Sequence, residues 1–193
     1  AFGSCTNLTA VTLANGLLSI EPEAFTGCAR LGDVFIPASV TNLEGGVFGG
    51  CHAMTNISVD ADNPLYASEN GVLYNKAKTE LVEIPAGISG DYAIEEGILS
   101  VDDWAARDGM LSSVNIPSSV TNIGFSAFGG STNLQSIDVA PENMAYTSVD
   151  GVFFDKARTT LVEYPAGRPG SYIVPAGTVS IGGLTIHNGK GTM

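Results

Sequence analysis

Phe2, Phe25 and Phe48 stand 23 residues apart, and four further columns keep the same step. Cys5, Cys28 and Cys51 make one column, and Leu8, Leu31 and Met54 the next. Val11, Val34 and Ile57 follow, then Leu13, Ile36 and Val59. A unit this short cannot bury its apolar face alone, so neighbouring units must stack to supply a core. The chain is therefore expected to be a solenoid in which like side chains lie over like.

A longer period overlies the first. From Phe48, which maps onto Phe128, the chain matches itself at a shift of 80 residues. Identical pairs include Asn63/Asn143, Tyr66/Tyr146, Gly71/Gly151, Lys76/Lys156, Leu81/Leu161, Glu83/Glu163, Pro85/Pro165 and Tyr92/Tyr172. The shared stretches NGVLYNKAKTELVEIPAG and DGVFFDKARTTLVEYPAG mark a tandem duplication, plain coils followed by a decorated one.

Within a unit, Leu31–Ile36 places Val34 and Ile36 on one side, the pattern of a short strand with one face inward. Pro37 stops the ladder, having no N–H to donate. Equivalent strands are expected at 8–13, 54–59, 111–116 and 134–139, with 92–94 and 172–174 in the same slot after each decorated stretch. About seven rungs at ~4.8 Å would make a parallel sheet roughly 30 Å long. Leu17/Ile20, Val40/Leu43, Ile98/Val101, Val120/Ile123 and Val179/Ile181 are expected to line the opposite wall. The Phe column would form a stacked aromatic spine, each ring contributing ~2–3 kcal/mol. The decorated stretches, about 61–90 and 141–170, read as hairpins. In the first, 72–74 pairs with 81–84 around 75–79; in the second, 152–154 pairs with 161–164 around 155–159. Both are expected to project from one edge of the stack.

AFTGCARLGDVFIPASVTNL at 24–43 and SSVNIPSSVTNIGFSAFGG at 112–130 closely resemble the repeat of the BspA-like leucine-rich repeat family. The resemblance extends to about Gly183 and includes the GVLY/GVFF insertions. It implies a β-rich solenoid, a right-handed leucine-rich repeat superhelix, as a domain over 1–183 with an irregular tail at 184–193. It also implies a secreted or cell-surface setting. Members of that family are mostly displayed by host-associated bacteria and some protists, and those with known roles act as adhesins. One coil departs from the pattern: 102–111 lacks both Phe and Cys, and Trp104 is expected to fill the spine from a shifted register. The chain opens in mid-pattern at Ala1-Phe2 and reads as a piece of something longer. Its bare end, without an N-terminal cap, predicts self-association.

Composition narrows the partner. Eight Lys+Arg against 20 Asp+Glu give a formal charge of −12, unsuited to a phosphate backbone or an anionic lipid surface. No apolar run approaches the ~20 residues of a membrane span. Charged residues are 15 % and the mean hydropathy is +0.21, which argues against bulk disorder.

Candidate chemistries fall to simpler readings. Ser131 stands in the Cys column at the fourth copy, so Cys5, Cys28 and Cys51 read as small buried fillers with a weakly hydrogen-bonding sulfur. His52 and His187 are far apart, with no nucleophile set beside them. The glycines at 183–192 lack phosphate-loop spacing. Asp60, Asp62 and Asn63 could ligate calcium, as could Asp102 and Asp103. The first cluster becomes Ala-Pro-Glu-Asn in its duplicate, so Asx turns explain it better. Asn7 and Asn56 match a glycosylation pattern by chance. Among 20 acids no pair is marked for glycoside hydrolysis. The chain is expected to be non-catalytic, with no cofactor and no metal.

That leaves the outward positions of the front sheet: Ala10, Thr12, Asp33, Phe35, Asn56, Ser58, Ser113, Asn115, Ser136 and Asp138. Short hydroxyl, amide and acid groups around one aromatic can hydrogen-bond a partner with little side-chain entropy to lose. The expected partner is a protein, such as a host matrix or cell-surface protein. A glycan on the same face and a spacer with no ligand are the alternatives. The hairpin tips 76–79 and 156–159 are second candidates for contact.

Overall fold

The computed structural model describes residues 1–182; the tail read at 184–193, with His187, lies outside the described residues. Among the described residues there are strands and no helix. On the back wall of the first coils lie β1 (Ser19–Ile20) and β3 (Asn42–Leu43), and on the front β2 (Val34–Ile36) and β4 (Ile57–Val59). The first decorated stretch holds β5 (Tyr66–Glu69), β6 (Val72–Asn75) and β7 (Glu80–Glu83). Front strands β8 (Ser89–Ala93), β10 (Met110–Ile116) and β12 (Ser136–Val139) alternate with back strands β9 (Ser100–Val101) and β11 (Asn122–Ile123). The second decorated stretch holds β13 (Tyr146–Val149), β14 (Val152–Asp155) and β15 (Thr160–Glu163), before β16 (Ser180–Ile181) on the back.

Coil-to-coil pairing is parallel and offset by the sequence period. Val34 lies opposite Ile57, Ser19 opposite Asn42 and Val114 opposite Ile137. The result is a β-solenoid of about seven turns, as the repeats require. Its front is divided into two sheets, β2–β4 and β12–β10–β8, where an unbroken run of rungs was expected. The division is made by the turn between β5 and β6. Ile57 N–H donates to Gly71 O (2.8 Å) and Val59 N–H to Ser68 Oγ (3.0 Å), which closes the edge of β4. The duplicate turn closes β12 through Gly151 O (2.9 Å) and Ser148 Oγ (3.0 Å). Residues 8–13 and 172–174 form no strand. The first of these is joined to the next coil by one bond, Gly32 N–H to Thr9 O (3.1 Å). In the second, Pro169 and Pro175 stand where Ser89 opens β8 and Glu95 follows it, and proline disfavours a strand at both places.

The decorated stretches do not project. Each contains the expected hairpin, with Tyr74 opposite Leu81 and Phe154 opposite Leu161, and a third antiparallel strand before it. The last strand of each meander then takes a place in the back wall, Leu81 opposite Val101 and Leu161 opposite Ile181. Val72, Leu73, Tyr74, Leu81 and Val82 are all buried. Consecutive apolar residues demand cover on both faces, and the solenoid supplies it. Leu73 and Val82 join the core around Phe25 and Phe48; Val72, Tyr74 and Leu81 join the core around Val114 and Phe128. The first meander is a partition between two cores.

The aromatic spine is real but short. Phe2 and Phe25 stack at 5.0 Å and 3°, Phe25 and Phe48 at 5.4 Å and 17°. In the aberrant coil the spine position is Ala106, whose amide donates to Ala127 O as Phe25 N–H does to Val47 O. Trp104 does not fill it. Two residues before each spine position the backbone is left-handed, at Glu23 (φ 60°), Gly46 (77°), Trp104 (56°) and Ser126 (49°). That conformation turns the indole outward against Gly46, where a Cβ would lie 2.7 Å from Trp104 Cβ. Phe125 meets the indole edge-on at 6.2 Å.

The identical pairs at the start of each meander tie off the preceding coil. Asn63 is fully buried: its amide donates to Pro37 O (3.0 Å) and Val40 O (2.9 Å) and accepts from Leu65 N–H (2.9 Å) and Tyr66 N–H (2.8 Å). Asn143 repeats the bracket on Pro117, Val120, Ala145 and Tyr146. Tyr66 Oη then accepts from Leu43 N–H and donates to Leu43 O, both at 2.8 Å, standing in for the strand that β3 lacks. Tyr146 does so for Ile123 N–H (3.0 Å). Asn63→Ala removes four hydrogen bonds to the main chain, and although Pro37 O keeps Val40 N–H, each group left without a partner costs about 1–3 kcal/mol before relaxation. Urea titration should show a loss of at least about 3 kcal/mol, whereas the exposed Asp62→Ala next to it should change stability by less than about 0.5 kcal/mol.

Candidate functional site

Alternation along the front strands turns Val34, Ile36, Ile57, Val114, Ile116 and Ile137 inward, which leaves their neighbours to face out. The candidate residues fall into two patches separated by the turn at 68–71. Asp33, Phe35, Asn56 and Ser58 share β2, β4 and the residues just before them, Phe35 lying opposite Ser58. Thr12 is exposed on the unpaired segment beside them. Ser113, Asn115, Ser136 and Asp138 share β10 and β12, with Ser113 opposite Ser136 and Asn115 opposite Asp138.

Much of this polarity is engaged within the fold. Asp33 Oδ1 accepts from Thr55 N–H (3.2 Å) and Asn56 N–H (3.0 Å), ordering the entry to β4. Ser58 donates to Val34 O (3.3 Å). Ser136 donates to Asp138 Oδ2 (2.8 Å) and Ser113 to Asp91 Oδ1 (2.8 Å). Asn56 is half-buried beside Gly71. Phe35 is the exception on chemical grounds: 51 % exposed, it is a whole aromatic ring set on a polar surface. Asp91 and Glu96 belong to the second patch and were not singled out in the sequence. Asp91 precedes inward Tyr92 as Asp33 precedes Val34, so the column itself would have found it. Glu96 lies beyond the strand and is identified only by a shallow groove of about 450 Å³ that it lines with Asn115 and Asp138.

Other candidates resolve into structural roles. Cys28 and Cys51 are buried free thiols that donate to Phe2 O (3.1 Å) and Phe25 O (3.2 Å), and Ser131 Oγ donates to Ala106 O (2.9 Å) in the same way. Burial pushes the Cys51 thiol up to about 12, away from the reactive thiolate. Cys5 is exposed. His52 Nε2 lies 2.9 Å from Asp108 O. Asp60 accepts from Asp62 N–H (2.9 Å), an Asx turn. At the tips, Lys76 donates to Ala61 O, Lys78 pairs with Glu69, and Lys156 donates to Pro141 O and Asn143 O.

Carboxylates instead join coils whose main chains no longer match. Asp102 accepts from Gly45 N–H (3.1 Å) and Asp103 N–H (2.8 Å), and Asp103 from Phe125 N–H (2.6 Å). Glu83, 2 % exposed, accepts from Phe48 N–H (2.7 Å), while its Oε2 has no partner. Glu163 takes the matching place beside Phe128 in the duplicate. Burial pushes Glu83 up to about 8, Glu163 to about 7 and Asp102 to about 6. An acid raised on folding holds a proton that the unfolded chain has released, so its contribution is intact below about pH 4.5 and is lost as pH rises towards 8. Glu83→Gln keeps the acceptor for Phe48 N–H without the charge. Melting followed from pH 5 to 9 should show a smaller decline above pH 6 than in the unaltered chain, with the variant the more stable of the two at pH 8.5.

A model of the BspA type leucine rich repeat region matches residues 1–93 and 105–166 in 6 copies. The chain belongs to the BspA-type leucine-rich repeat family. Among curated proteins none matches it. Among solved structures, the pneumococcal vaccine antigen PcpA is similar at 24 % identity and a TM-score of 0.55, over 63 % of this chain and 31 % of that one. A leucine-rich repeat protein from Eubacterium ventriosum is similar at 22 % identity and 0.51, over 94 % and 68 %. A leucine rich cell surface protein from Faecalibacterium prausnitzii is similar at 26 % identity and 0.53, over 70 % and 42 %. The BspA-type chain thus spans about a third of the length of the pneumococcal antigen. The stretch between the two matched segments, 94–104, contains Trp104 and Asp102, where the coil departs from its repeat.

Proposed function

We propose that this chain is a non-catalytic recognition module of a secreted or surface-displayed protein, and that it engages another protein through its front face. The observation that carries the reading is Phe35, a half-exposed ring on an open sheet whose remaining outward groups are small and largely fixed by hydrogen bonds. A rigid aromatic surrounded by pre-ordered polar groups suits a protein contact, because little conformational freedom is lost on binding. Family membership supports an interaction role, and similarity to a protein named as a cell surface protein supports the setting. Adhesion to matrix or cell-surface proteins is the specific form proposed. A glycan-binding face would offer several aromatic platforms, and Tyr66 and Tyr74 are turned inward to hydrogen bonds with Leu43 and Tyr92.

Binding of the chain to immobilised extracellular-matrix proteins, measured by surface plasmon resonance, tests the reading. Phe35→Ala should weaken the interaction by about 10-fold or more, the effect of removing a central aromatic anchor. Its melting temperature should stay within about 2 °C, since the ring supports no core. Unchanged affinity in the variant, or no binding by the intact chain to any matrix protein, would favour a spacer.

A further inference from the structure

The two halves of the front face have diverged in one respect. At a shift of 80, Phe35 becomes Asn115 and Ser58 becomes Asp138, so an aromatic platform in the first half is replaced by amide and acid in the second. The second half also carries a groove where the front strands end. Its floor includes Ile116, Pro117 and Pro141, and its rim is Glu96, Asn115 and Asp138. The rim acids are held in place by hydroxyls, Ser118 Oγ on Glu96 (2.9 Å) and Ser136 Oγ on Asp138 (2.8 Å). Among the described residues no Lys or Arg forms a salt bridge with Glu96, Asp138 or Asp91. Lys156 approaches the groove beside Pro141 but is bound there to the main-chain oxygens of Pro141 and Asn143.

Two chemistries therefore meet in one place. An apolar floor with proline rings suits the methylene stem of a long cationic side chain, and the fixed carboxylates beyond it suit the charged head. The Asn115 amide between them can both donate to and accept from a main chain lying across β10 and β12. A formal charge of −12 on the whole chain would add long-range attraction.

We propose that the groove at Glu96, Asn115 and Asp138 binds a Lys- or Arg-bearing extended segment of the partner protein. This rests on reading the front face as the recognition surface and specifies the partner's charge. The first-half patch around Phe35 would then supply apolar contact, and the groove would select for cationic side chains.

The probe is a fluorescent octapeptide containing two Arg and two Lys, compared with a Ser-substituted peptide of equal length, by anisotropy at 0.15 M salt. Only the cationic peptide should bind, and its affinity should fall as salt is raised. Glu96→Gln with Asp138→Asn should weaken binding by about 10-fold or more. The control is Glu21→Gln with Glu44→Gln, which removes the same charge from exposed acids elsewhere and should change affinity by less than about 2-fold. Equal losses in the two double variants would reduce the effect to general attraction and overturn the proposal, as would no binding by the unaltered chain. Matrix-protein binding that depends on Phe35 but not on the groove acids would remove this inference alone.

Discussion

Each turn of a solenoid ends in a row of main-chain donors and acceptors that must meet partners in the next turn. Where the 23-residue step is kept, the next coil supplies them directly, and the parallel register follows. Where the meander is inserted, that match fails, and the chain uses side chains in place of the missing main chain. Tyr66 Oη serves Leu43, Glu83 serves Phe48, Asp102 serves Gly45, and Ser68 serves Val59. Satisfaction of these groups is the constraint on which the decorated coils depend, and much of the identity between the duplicates is explained by it.

The same constraint shapes the candidate site. The turns at Gly71 and Gly151 seal the edges of β4 and β12, so the front is two short faces with fixed borders. Hydroxyl and carboxylate groups on those faces are mostly committed to ordering the strands they flank. The front is therefore a pre-arranged surface, with Phe35 on one half and the Asn115–Asp138 rim on the other.

Much of this was legible in the residues. Five columns at a fixed step define the coils, and strict alternation identifies which side chains face out. The identities Asn63/Asn143, Tyr66/Tyr146 and Glu83/Glu163 were visible, but their purpose was not, because each acts on main-chain atoms of another coil 20 or more residues away. The hairpins were legible too. Their burial was written in the unbroken apolar runs Val72-Leu73-Tyr74 and Leu81-Val82, which a projecting loop could not satisfy. Trp104 misled for a different reason: nothing in its residue type announces a left-handed backbone.

The first meander acts as a bulkhead. By closing one hydrophobic compartment before the next begins, it confines a packing defect on one side to that side. Mutational drift in either half is thereby insulated from the other, a condition under which duplicated modules can diverge in surface chemistry while sharing one scaffold. The exchange of Phe35 for Asn115 between otherwise matching strands is what such insulation permits.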